Sequence, residues 1–79
     1  MQSQDMQRLN AAVDGIFAVF ENVLDMFRKW DDSYHMPFIR EVMKLQRLEV
    51  QLYNLGYDEE FVTTVVNVTY HNVFTSNDR

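Results

Sequence analysis

The chain contains no cysteine, so neither a disulfide framework nor a thiolate-held zinc can supply its stability. Two glycines and one proline are too few for the turns of an all-β domain. No basic start leads into an apolar core, so no signal peptide is expected. No apolar run reaches the roughly eighteen residues that a membrane-spanning helix needs. Cationic residues are scarce as well: seven Lys and Arg against twelve Asp and Glu leave a net charge of −5. Direct nucleic-acid binding requires Lys and Arg to displace counterions from phosphates, and it is not expected here. The carboxylates are interspersed with basic residues, which argues against mimicry of a nucleic acid. The expected setting is the cytoplasm, away from membranes.

Catalytic patterns are missing too. His35 and His71 are the only histidines. Asp31, Asp32 and His35 share one connector, but two carboxylates and an imidazole on a flexible segment make a poor metal site. No serine stands in a glycine elbow and no glycine-rich loop could cradle a phosphate. Asn67-Val68-Thr69 has the form of a glycosylation acceptor, which lacks meaning without secretion. The expectation is a protein that is not an enzyme, with no cofactor and no metal.

What the chain does have is apolar periodicity. Met6, Leu9, Val13, Ile16, Phe20, Val23, Phe27 and Trp30 alternate at spacings of three and four, which keeps one seam on one side of a helix. Ala12, Val19 and Met26 flank it on one side, Phe17 and Leu24 on the other. Ser3 suits the cap of this helix and Asp5 its first turn. Ala11, Gly15 and Ala18 read as a solvent face of small residues, with close approach of another helix as the rival reading. Asp31 to Met36 breaks the pattern, and Pro37 fits the first turn of a second helix. There Phe38, Val42, Leu45, Leu48, Leu52 and Leu55 form the face, widened by Ile39, Met43, Val50 and Tyr53. Glu49 projects among these leucines, opposite a cation, towards a basic partner, or out to solvent. Leu55-Gly56-Tyr57 is a helix stop, and Asp58 is the cap of a third helix. Val62 to Thr69 is rich in β-branched residues, yet Phe61, Val65 and Val68 beside Val62, Val66, Thr69 and Val73 form adjoining helical stripes. The stripes decide for helix.

The predicted fold is therefore all-α: one domain over 1–79, with helices at about 4–30, 37–55 and 59–74 and a polar tail at 75–79. A long first helix is followed by a helical hairpin. That helix would run about 40 Å, longer than the roughly 30 Å globule such a chain forms. An intertwined or side-by-side homodimer is expected to cover the overhang through Leu9, Val13, Ile16, Phe20, Val23 and Phe27. Another protein is expected at Trp30, Asp31, Asp32, Tyr34, Met36 and Glu49, where large rigid side chains stand beside charge. Small acidic helical proteins of this build occur among phage and plasmid regulators, antirepressors and secretion chaperones, a likeness that carries over no residue. The leading expectation is a regulator that occupies a partner's surface, for example an antirepressor that sequesters a basic DNA-binding regulator. The alternatives are a chaperone for a client helix and a self-assembling structural subunit with no separate target.

Overall fold

In a computed structural model, which describes residues 3–76, the chain folds into three α-helices with no strand among the described residues. They are α1 (Ser3–Arg28), α2 (His35–Asn54) and α3 (Glu59–Ser76). A single 3-10 turn, Asp32–Tyr34, joins α1 to α2. Both α2 and α3 pack on α1 and touch each other far less. The first helix is thus the spine of the bundle.

α1 ends two residues sooner than its periodicity predicts. The Lys29 N–H already makes a tighter bond, to the Met26 carbonyl (3.2 Å), and Trp30 lies in the connector. Asp31 then closes the 3-10 turn: its Oδ1 accepts from the Ser33 backbone N–H (2.7 Å) and from the Ser33 hydroxyl. α2 starts at His35, and Pro37 falls in its first turn, where a missing N–H costs nothing. The capping role expected of the Ser3 side chain lies outside the described residues, as do residues 77–79 of the tail. Thr75 and Ser76 extend α3 beyond its expected end.

The α2–α3 corner follows the local residues closely. Gly56 takes φ 101°, a conformation open to glycine. The Gly56 N–H donates to the Tyr53 carbonyl (3.0 Å) and the Tyr57 N–H to the Leu52 carbonyl (3.2 Å), which satisfies the last carbonyls of α2. Tyr57 then stacks on Phe61 at 4.3 Å between ring centroids. Asp58 caps α3, its Oδ1 accepting from the Phe61 N–H (2.8 Å). Helix periodicity prevails over the β-branched composition of α3 because Val62 and Val73 are buried and Val65 and Val66 pack against the core. Thr69 is buried as well. Its hydroxyl donates back to the Val65 carbonyl (2.7 Å), so no polar atom is left orphaned.

The centre of the core is Ala12, Ile16, Leu52 and Val62. Burial on α1 runs through Ala12, Ile16, Val19 and Val23, a line rotated from the expected seam toward its Ala12–Val19 flank. The reason is Gly15. A Cβ placed there would lie 2.9 Å from Leu48 Cδ2, so the end of the Leu48 side chain packs over the bare backbone of Gly15. The solvent-face reading of Gly15 is corrected by this contact, whereas Ala11 and Ala18 are exposed. The bundle measures 44 × 28 × 21 Å. Its long axis accommodates an α1 of about 39 Å, so helix length alone does not require a second chain.

Candidate functional site

The first feature to emerge is an aromatic ladder at the α1–α2 end of the bundle. Phe27 lies 5.8 Å from Phe38 and 6.0 Å from Trp30 between ring centroids. Trp30 meets Phe38 edge-on at 5.9 Å, and Tyr34 lies 6.3 Å from Trp30. On the α3 side Phe74 continues the ladder, 6.4 Å from Phe27 and 6.5 Å from Phe20. Tyr70 completes it, stacked 4.5 Å from Phe74 and edge-on to Phe20 at 5.5 Å. Edge-to-face and offset arrangements are the ones favoured by ring quadrupoles.

This cluster is only partly spent inside the fold. Phe27 is 51% exposed, Trp30 44% and Met36 55%, while Tyr34 and Phe38 are half-buried. Trp30, Tyr34 and Met36, singled out from the sequence, therefore share one end of the molecule, although no ring contact includes Met36. Asp31 and Asp32 are exposed beside them. Hydrogen bonds from the Ser33 hydroxyl and the Ser33 backbone hold the Asp31 carboxyl below its ordinary value. Asp31 is thus a capping residue as well as a surface charge.

Glu49 is half-buried and forms no ion pair among the described residues. The carboxylate that the fold does bury is another one. Glu41 is 4% exposed at the α1–α2 crossing, where Oε1 accepts from Asn22 Nδ2 (3.0 Å) and Oε2 pairs with Lys44 Nζ (2.8 Å). Its spacing of seven, eleven and fourteen from Leu48, Leu52 and Leu55 was the available signal: it places Glu41 on the same stripe as those leucines. The pair borders an open groove of about 340 Å³ that also takes in Gly15, Ala18 and Leu48. Both carboxylate oxygens of Glu41 are thus engaged from within the chain.

Of the residues expected at a contact with a second chain, Ile16 and Val23 are covered within their own chain, Ile16 completely. Leu9, Val13 and Phe20 are half-buried, and Phe27 belongs to the exposed end. Among the described residues no three carboxylate or imidazole side chains converge as metal ligands would. No described helix is long and apolar enough to cross a membrane. No protein family, curated protein or solved structure matches this chain.

Proposed function

We propose that this chain is a protein-binding module that acts by covering part of a partner protein, with the aromatic end of the bundle as its contact. The observation that carries the reading is the exposure of Phe27, Trp30 and Met36 together, beside a half-buried Tyr34 and two carboxylates. Trp and Tyr offer large rigid area at low entropy cost, and Met conforms to irregular surfaces. Phe38 and Phe74 support Phe27 from behind, and Phe38 also supports Trp30, so the contact is preorganised rather than folded on binding. Asp31 and Asp32, on a chain of net charge −5, favour a partner with a basic face. A DNA-binding regulator, held away from its DNA, is the partner type that fits this chemistry best.

The test uses the whole chain, immobilised and exposed to a lysate of its source cells. Wild type should retain a basic protein that the variant carrying both Trp30→Ala and Met36→Ser releases, while circular dichroism shows the helices intact. The purified pair should associate more slowly as salt rises. Equal retention by the folded variant would remove the aromatic end from the contact.

A further inference from the structure

A second surface runs along the outer sides of α1 and α2 and meets the aromatic end only at Met36. Leu48 and Glu41 face α1, where they meet Gly15 and Asn22. Two residues on from each contact, about 200° around the helix at 3.6 residues per turn, stand Val50 and Met43 on α2 and Phe17 and Leu24 on α1. Each helix therefore carries a second apolar seam on its outer side: Met36, Ile39, Met43, Val50 and Tyr53 on α2, and Met6, Val13, Phe17 and Leu24 on α1. Met36, Met43, Val50, Tyr53, Met6 and Phe17 are exposed, and Ile39, Val13 and Leu24 are half-buried. α1 packs on α3 as well as on α2, yet Met6 and Phe17 stay exposed, as do Met43, Val50 and Tyr53 on α2; an apolar seam that the fold leaves uncovered is a contact surface.

The edges of the two seams carry opposite charge at one spacing. Arg40 and Arg47 border the α2 seam seven residues apart; Asp14 and Glu21 border the α1 seam, also seven apart. All four are exposed, and none forms an ion pair among the described residues. In heptad terms both pairs occupy the same edge, the one that follows the second apolar position. Like edges face each other when two helices pack antiparallel. Arg40 then stands opposite Glu21 and Arg47 opposite Asp14, with Asn54 opposite Gln7. A parallel arrangement would turn the arginines towards Leu9, Ile16 and Val23, which offer no charge.

We infer that α2 of one chain docks antiparallel on the outer seam of α1 of a second copy. The two seams lie on opposite flanks of the α1–α2 pair, so the contact joins unlike surfaces. One such contact leaves an open seam at each end, and assembly continues past two chains into a ring or filament. Net charge of −5 opposes indiscriminate association, which leaves the matched edges to set the register.

Sedimentation velocity from micromolar to millimolar concentration tests this. The wild-type average mass should grow beyond twice the chain mass as concentration rises, and fall with added salt. Arg40→Glu with Arg47→Glu, or Asp14→Arg with Glu21→Arg, should each raise the concentration needed for association by roughly tenfold or more, with helical circular dichroism unchanged. Mixing the two variants one to one should restore association, because each then meets a complementary edge. A wild type that stays monomeric throughout overturns the inference. So does a variant that associates like wild type, or a mixture that stays dissociated. Both charge variants keep Trp30 and Met36, so this surface and the aromatic contact succeed or fail separately.

Discussion

Asn22 on α1 donates its side-chain amide to the buried carboxylate of Glu41 on α2, across 3.0 Å at the crossing of the two helices. Lys44 supplies the second partner from one turn further along α2, with its own side chain more than half exposed. Asn22 is exposed as well, but its amide serves Oε1 and the lysine Oε2, so each oxygen depends on a different side chain.

Asn22→Ala should therefore destabilise the fold by about 1–3 kcal/mol, the usual cost of leaving a buried polar group unpaired. Glu41→Leu removes the need instead of the partner, and replacement of buried ionic groups by apolar ones of similar volume is often neutral or stabilising. In the Glu41→Leu background Asn22→Ala should cost clearly less. Urea midpoints of the four proteins close the cycle. Equal cost of Asn22→Ala in both backgrounds would show that the hydrogen bond contributes nothing of its own.

Gly15 gives an outcome that depends on the size of the replacement. Alanine gains about 1 kcal/mol of helix propensity over glycine, but its Cβ would approach Leu48 Cδ2 to 2.9 Å. Leu48 is half-buried and borders the open groove, so the end of its side chain has room to swing aside. Gly15→Ala should be neutral within about 1 kcal/mol, and Gly15→Leu should destabilise by roughly 1–3 kcal/mol because α2 must move away. With Leu48→Ala beneath it, Gly15→Ala should become stabilising. Thermal unfolding of the series decides; a stabilising Gly15→Leu would mean the helices do not approach here.

These two crossings mark where the sequence was legible and where it was not. Gly56, Tyr57 and Asp58 act on backbone groups within a few residues, so their corner could be read directly from local chemistry. The helical state of α3 was legible because two adjoining stripes outweigh β-branched propensity. Which carboxylate is buried was not. Glu41 and Glu49 both sit among leucines, and the choice depends on where α2 crosses α1, which Gly15 and Leu48 set across a gap of more than thirty positions. The same crossing rotates the buried line of α1 toward Ala12 and Val19, small enough to let α2 in, and leaves Phe17 and Phe27 outside. Trp30 reads as the last residue of a helical seam, yet rings on other elements draw it into the connector.

The connector should respond to acid at a defined place. Asp31 has its carboxyl held below the ordinary value of 3.8 by hydrogen bonds from Ser33. A group more acidic when folded than unfolded contributes fully above the unfolded value, and the contribution fades as pH falls through the lower folded value. The Ser33 amide proton should accordingly titrate with a midpoint below 3.8. In Asp31→Asn that step should vanish from the Ser33 resonance. A midpoint at or above the ordinary value would mean that the turn is not closed by this carboxylate in solution.

Asp58 tests how much a single cap supports a helix of unfavourable composition. Val62, Thr63, Thr64, Val65, Val66, Val68 and Thr69 all lose side-chain freedom in a helix, so α3 relies on packing and on its first turn. The Asp58 carboxylate accepts from the Phe61 N–H and also faces the positive end of the helix dipole. Asp58→Ala removes both and should cost about 1 kcal/mol, within the range of roughly 0.5–2 for such caps. Asp58→Asn keeps the acceptor and loses the charge, so it should retain most of the stability, the difference being about 0.3–1 kcal/mol. Amide exchange at Phe61 and Val62 reports the same hierarchy locally: fastest in Asp58→Ala, intermediate in Asp58→Asn, slowest in wild type. If asparagine proves as damaging as alanine, the charge and not the hydrogen bond holds the start of α3. Added salt should then weaken wild type towards Asp58→Ala, whereas a hydrogen-bonded cap would leave most of their difference in place.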